Sequence, residues 1–139
     1  MDLGTQTLVA YQGNRPVYAT LVSTGLPGDV ETVTPRGNYE ITFKHLSDDM
    51  AGTVGDDEVY SVADVPWVQY IFRNVALHAS FWHSRYGTPK SHGCINLAPA
   101  DARFLFDWTD PPLPEKWHAV AHREGQKTTK VIIEGETPK

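Results

Sequence analysis

The chain has 139 residues, 40% of them apolar and 21% charged. That balance fits one folded domain with a hydrophobic core and excludes a disordered chain. No run approaches the roughly 18 apolar residues of a spanning helix, so no integral membrane segment is expected. The net charge of −5, with both signs interspersed, offers no basic face for a phosphate backbone and argues against a nucleic-acid partner. The one cysteine, Cys94, forms no internal disulfide and says nothing about redox compartment. No basic segment followed by an apolar run opens the chain, so no signal peptide is expected in it. The abrupt start at Met1-Asp2-Leu3 reads as a domain cut from a longer precursor.

In chain order, the first two-thirds read as β structure. Leu8 to Tyr11 and Pro16 to Ser23 are short runs rich in Val, Tyr and Thr, and Gly13-Asn14-Arg15 between them signals a hairpin. Thr34-Pro35-Arg36-Gly37 is a turn, in which Pro fixes φ and Gly is free to take positive φ. Tyr39 to Phe43 alternates like a half-buried strand. Asp48 to Asp57, polar and containing glycine, is expected to be a loop. Trp67 to Phe72 is the strongest strand signal, with Pro66 at its start, where a missing N–H does least harm. Val75 to His78 looks like the next strand. One helix is predicted from Pro99, with Asp101 in its first turn and Ala102, Leu105 and Trp108 at three-residue spacing. Asp110-Pro111-Pro112-Leu113-Pro114 stops it. Trp117 to His122 and Lys130 to Ile133 close the fold as strands. The expectation is a single domain over residues 1–136 with a 137–139 tail, mostly β with one or two short helices.

Between His78 and Cys94 the chain places three histidines, His78, His83 and His92, ahead of its one cysteine. A thiol becomes a strong nucleophile when a neighbouring imidazole takes its proton. His78 ends an apparent strand, where a rigid scaffold can hold its ring. Gly87 to Lys90 looks like a turn that returns the chain toward it. Gly93 permits tight backbone geometry beside Cys94, with N–H groups able to face an oxyanion. Two bland readings compete. A lone buried cysteine is commonly an inert small hydrophobe. His78, His83, His92 and Cys94 also form a conceivable zinc set, although their spacings of 5, 9 and 2 match no common structural zinc motif. His45, His118 and His122 carry no assigned role.

Ser91-His92-Gly93-Cys94-Ile95-Asn96 resembles the S/T-H-G-C-φ-N/R signature of the L,D-transpeptidases, the YkuD-type catalytic domain. His78 falls where that family places its catalytic histidine. Thr34-Pro35-Arg36-Gly37-Asn38-Tyr39 resembles the family's T-P-x-G-x-Y/F turn. Asp2-Leu3 with Gln6 to Tyr11, Trp82-His83, and Leu97 to Ala102 are similar to other parts of its text. The resemblance spans nearly the whole chain. Ala79 stands where many members have Gly after the histidine, Asn96 where many have Arg, and Ala98 where a Ser or Thr helix cap is expected.

The resemblance implies a YkuD-like β-sandwich, an extracytoplasmic setting in the cell envelope, and a cysteine-dependent acyl transfer on peptidoglycan stem tetrapeptides. Cys94 is then the nucleophile and His78 the base, its ring oriented by a nearby backbone carbonyl such as that of Ser80. Backbone N–H groups of Gly93 and Cys94 form the oxyanion hole, and His92 shapes the loop. Ser91, Asn96, Trp67, Tyr70, Trp82 and His83 are the candidates for substrate contact. Trp67 and Tyr70 lie three apart, so a regular strand turns at most one of them into the groove. No metal or organic cofactor is implied, and carbapenem-type β-lactams are implied as acylating inhibitors. Hydrolysis of the same thioester, a non-catalytic peptidoglycan-binding module and a small zinc protein are the alternatives.

Overall fold

The computed structural model describes residues 1–54 and 58–139. Strands dominate. β1 (Thr7–Gln12) and β2 (Arg15–Leu21) form a hairpin. It closes tightly because Gly13 takes a left-handed φ of 62° between the paired Gln12 and Arg15. β3 (Gly37–Glu40) pairs antiparallel with β9 (Lys130–Ile133). A five-stranded sheet contains β4 (Phe43–Val54), β5 (Glu58–Phe72), β6 (Val75–Ala79), β7 (Ile95–Leu97) and β8 (Ala119–Ala121), in the order β7-β6-β5-β4-β8. Every pairing is antiparallel except β6 with β7. One helix, α1 (Pro99–Trp108), has Pro99 in its first turn and Ala98 at its N-cap with no side-chain cap bond. The fold is thus mostly β with one short helix, and no described helix is long and apolar enough to cross a membrane.

Several expected boundaries move. Tyr39 to Phe43 is two strands: the Ile41 N–H donates to Thr129 and the Thr42 N–H to Tyr70, so the backbone changes partner between β3 and β4. Asp48 to Val54, expected as loop, continues β4, because β5 starts at Glu58 and pairs with it along the way. Met50, Val62 and Val65 give this hairpin one apolar face, a pattern that its polar residues mask in the sequence. Residues 55–57 of that expected loop lie outside the described residues. β8 is shorter than Trp117 to His122, because the Trp117 N–H closes a turn onto Pro114.

Alternation divides the sheet's side chains between two clusters. Ile71, Leu77, Ala79, Ile95 and Leu97 face the main core with Ala102 and Leu105 of α1, and Trp67 packs against it. Val65, Val68 and Ala76 form a smaller cluster on the opposite face, against which Tyr70 and Cys94 pack. Trp67 and Tyr70 therefore do lie on opposite faces.

Lys44 is fully buried on β4. Its ammonium donates to the carbonyls of Phe106 and Thr109 and to Thr109 Oγ1, and it lies 4.5 Å from the centre of the Phe106 ring. It thereby satisfies carbonyls that the last turn of α1 leaves unpaired and complements the negative end of the helix. Burial pulls its pKa from 10.5 down to about 8, with Asp107 and Asp110 pulling the other way. Lys44→Ala is expected to destabilise the fold by about 2–4 kcal/mol, through orphaned carbonyls and a cavity. Between pH 8 and 10.5 the unfolded chain binds the extra proton, so stability should rise with pH across that window. Denaturant midpoints checked over this range should rise for the wild type and lose that rise in Lys44→Met.

Candidate active site

The parallel pairing of β6 and β7 sets His78 opposite Asn96 and Leu77 opposite Ile95. Since Leu77, Ala79, Ile95 and Leu97 are committed to the main core, the alternate residues Ala76, His78, Cys94 and Asn96 belong to the other face. There a cavity of about 160 Å³ is lined by His78, Cys94, Asn96, Ser91, His92 and Trp82, together with Lys90, Met50 and Val62. A larger cavity of about 380 Å³, beside the 112–118 loop, contains none of the predicted site residues.

Parallel strands cannot be joined by a tight turn, so residues 80–94 must cross over from the end of β6 to the start of β7. Residues 22–26 clamp that crossover. Gly87 donates to the Val22 carbonyl, Lys90 and Ser91 both donate to Thr24, and Leu26 donates to Ser91. Ser23 Oγ holds the Arg85 carbonyl at 2.7 Å, and Ser23 exchanges two backbone bonds with Asn96. Behind this segment the buried Gln6 accepts the Thr24 N–H at 2.9 Å and donates to Thr24 Oγ1 at 2.8 Å. Thr34, from the Thr-Pro-Arg-Gly turn, donates to the Gly93 carbonyl and accepts the Gly25 N–H, both at 2.8 Å. Gly25 must be glycine: a Cβ there would meet the Thr32 carbonyl oxygen at 1.9 Å and Gly93 Cα at 2.9 Å. Thr24 and Gly25 escaped the sequence reading, and Gln6 entered it only as part of the opening stretch, because nothing local distinguishes them; their role exists only through contacts with the crossover.

His78 is buried, and its Nδ1 lies 2.9 Å from the Ala79 carbonyl. A carbonyl only accepts, so the neutral ring carries its proton on Nδ1 and leaves Nε2 as the basic nitrogen. The orienting carbonyl is thus that of Ala79; the Ser80 carbonyl instead accepts the Tyr86 hydroxyl at 2.6 Å. Burial lowers the His78 pKa from 6.5 to about 4, the Ala79 bond opposes this, and His83 adds to the lowering. Trp82 stacks against His78 at 5.8 Å between ring centres. Burial raises the Cys94 thiol above its ordinary value of 9.0, while a backbone bond with Ala76 pulls the other way. The thiol also donates to the Asn74 carbonyl at 3.4 Å. At neutral pH both groups rest uncharged. Such a pair can deliver a nucleophile only by moving the thiol proton as attack proceeds.

The other predicted residues fall in different places. Ser91 is a strut of the loop, its Oγ donating to the Cys94 carbonyl and accepting the Gly93 N–H at 3.2 Å. Gly93, with φ of 117°, therefore spends its N–H inside the loop instead of facing an oxyanion. Asn96 is buried beside His83. His83 does not line the cavity: its Nδ1 accepts the Arg85 N–H at 3.1 Å, and its Nε2 lies 3.0 Å from the Asn96 amide. A neutral His83 accepting at Nδ1 carries its proton on Nε2, so the Asn96 oxygen, which otherwise has no partner, is the atom that must face it. Trp67 is in the main core, away from the cavity. Tyr70 packs beside Cys94 without lining the cavity, and its hydroxyl is occupied by Asp48 at 2.6 Å. Lys90, Met50 and Val62 line the cavity without having been predicted; Met50 and Val62 lacked a signal because their hairpin reads as loop and connecting chain. Among the described residues no group of three or more His, Cys, Asp or Glu could hold a metal ion.

Three outcomes follow from this geometry. Gly25→Ala should destabilise the fold by about 3 kcal/mol or more, as overpacking against backbone does, with thermal unfolding as the check. Alkylation of Cys94 should climb about tenfold per pH unit from pH 7 to 9 without levelling off, since the thiolate is the reactive form and its pKa is raised. His78 needs to be neutral to accept a proton, so the acid limb of any His78-dependent activity should lie near pH 4 and not near the ordinary histidine value.

The L,D-transpeptidase catalytic domain family, YkuD, matches residues 1–133. Among solved structures, an L,D-transpeptidase from Mycobacterium smegmatis shares the fold at 22% identity with a TM-score of 0.74, over 96% of this chain and 56% of that one. The Ldtfm–avibactam carbamoyl enzyme aligns at 27% identity and a TM-score of 0.72, over 97% of this chain and 47% of its own. The catalytic domain of the Enterococcus faecium L,D-transpeptidase acylated by ertapenem aligns at 26% identity and a TM-score of 0.67, over 96% of this chain and 92% of that domain. The chain thus spans about half the length of the first two relatives. No curated protein matches. The match over residues 1–133, on a fold that brings His78 and Cys94 to one cavity, places the chain in the L,D-transpeptidase catalytic domain family.

Proposed function

We propose that residues 1–136 act as an L,D-transpeptidase on peptidoglycan stem tetrapeptides, in an extracytoplasmic setting, through a thioester on Cys94. The observation that carries this reading is the shared cavity of the Cys94 thiol and a His78 ring whose tautomer leaves Nε2 basic. His78 Nε2 takes the thiol proton as sulfur attacks the carbonyl of the L,D peptide bond. The C–N bond then breaks, the imidazolium returns the proton to the departing amine, and D-alanine leaves. An acceptor amine attacks the thioester, loses its proton to His78, and regenerates the thiol. The Cys94 N–H, which donates to no other group among the described residues, is the candidate oxyanion donor, because the Gly93 N–H is already engaged. His92 and Ser91 shape the loop, and Trp82 and Asn96 complete the cavity wall. No metal or organic cofactor enters the reaction.

Titratable groups dictate why His78 has to sit close to neutral thiol. A raised thiol pKa means little thiolate in the resting enzyme, so general-base assistance carries the rate. His78→Ala should slow acylation by about 10²–10⁴. His83→Ala should cost less, since its ring bonds Asn96 and does not line the cavity. A carbapenem, by analogy with the ertapenem-acylated E. faecium domain, should add its mass to the wild type and not to Cys94→Ala. For the reaction itself, a stem tetrapeptide is mixed with a peptide bearing a free side-chain amine. Cross-linked product should rise with acceptor concentration while free tripeptide falls. Tripeptide alone, at every concentration of a usable acceptor, would establish hydrolysis of the same thioester in place of transfer.

A further inference from the structure

Lys90 has no part in the chemistry just described, yet it lines the same cavity as Cys94 and His78. Among the described lining residues it is the one ammonium or guanidinium group, and no aspartate or glutamate is among them. The others are Met50, Val62, Trp82, Ser91, Asn96, Cys94 and two histidines, and burial disfavours the charged form of His78. No carboxylate lies within ion-pairing distance of Lys90 among the described residues, where the one ion pair is Lys127 with Asp110. Its backbone is fixed, because the Lys90 N–H donates to Thr24 at 2.8 Å and the adjoining Ser91 N–H donates to the same carbonyl at 3.0 Å. The side chain itself is exposed. A cation on a clamped backbone at the rim of the cavity, with no carboxylate paired to it among the described residues, can receive an anion from the ligand.

We infer that Lys90 is a specificity-determining residue that receives the terminal carboxylate of the donor peptide, the carboxylate that departs with D-alanine. This rests on the transpeptidase reading of the site. The choice among the donor's carboxylates follows from distance and size. The terminal carboxylate belongs to the residue immediately after the scissile bond, and consecutive Cα atoms lie only about 3.8 Å apart. Lys90 is four residues before Cys94, on the clamped loop that ends in the thiol. The cavity of about 160 Å³ is small against ligand pockets of roughly 300–1,000 Å³, which suits one small terminal residue. Lys90 touches no reacting atom in this scheme; it selects donors that end in a free carboxylate and sets the carbonyl over sulfur.

The test compares a stem tetrapeptide ending in free D-alanine with the same peptide ending in D-alanine amide. The wild type should prefer the acid by roughly five- to fiftyfold in kcat/KM, the range expected of a partly exposed charge-assisted bond. Lys90→Ala should reduce that preference to near unity, mainly by raising KM for the acid, and Lys90→Arg should restore much of it. Alkylation of Cys94 by neutral iodoacetamide should be unchanged in both variants, which separates loss of recognition from a damaged site. The same acid and amide peptides are also titrated onto the Cys94→Ala protein, with and without Lys90→Ala, since binding needs no turnover. An acid preference that survives Lys90→Ala, or equal affinity for acid and amide with Lys90 present, overturns the inference. Failure of the wild type to release D-alanine from the acid peptide counts separately, against the transpeptidase reading.

Discussion

The site depends on one parallel strand pair in an otherwise antiparallel five-stranded sheet. β6 and β7 run side by side in the same direction, so a hairpin cannot connect them and the chain has to travel back along the sheet. That return path is the segment 80–94, and it carries Trp82, Lys90, Ser91, His92 and Cys94. A crossover without a helix has few internal hydrogen bonds to hold its shape. The deficit is made up from outside, by residues 22–26, which donate to and accept from the crossover on one side and pair with Asn96 on the other. Gln6 and Thr34 then hold that clamp from behind. The position of the thiol is therefore set by segments from the beginning of the chain, far from Cys94 in sequence.

The electrostatics of the pair follow from the same arrangement. Placing His78 on a strand between the core and the cavity buries it, and burial penalises the imidazolium. Cys94 is similarly shielded, so its thiolate is also disfavoured. Two groups that each resist ionisation alone form a site with no resting charge separation; in the proposed mechanism the proton moves when a bound carbonyl makes the move favourable. The Ala79 carbonyl contributes by fixing which ring nitrogen is basic. The Ala76 backbone bond to sulfur offsets part of the desolvation of the thiolate.

Lys44 shows the same economy on the other face of the sheet. A buried ammonium without a contacting carboxylate is costly, and it persists because three oxygens at the end of α1 surround it. Thr109 passes the network on to Gln69 of β5 through its own hydroxyl. The helix is thus tied at its C-terminal end to β4 and β5. Near its N-terminal end, Asp101 accepts hydrogen bonds from the Tyr18 and Thr20 hydroxyls of β2. These ties compensate for an N-cap, Ala98, that has no side chain to offer.

The association of His78 with Cys94 was implied by the family resemblance; the sequence by itself determined the mostly β character, a helix with Pro99 in its first turn, the β1–β2 hairpin and the 91–96 hexapeptide. These are local signals: apolar periodicity, glycine at a left-handed turn, and a motif of contiguous residues. Only the tertiary structure decided where β4 ends, because the pairing of Asp48 to Val54 with β5 outweighs a polar composition that locally reads as loop. Only it showed that Trp67 serves the core, that His83 serves Asn96, and that the Gly93 N–H is engaged within the loop. Strand register turns Trp67 to its face, which depends on bulges and partners that composition does not encode, and the path of the crossover places His83 and Gly93. Gly25 is the sharpest case. As a letter in the sequence it marks any turn, and its requirement appears only where the Thr32 and Gly93 backbones close in on it from distant parts of the chain.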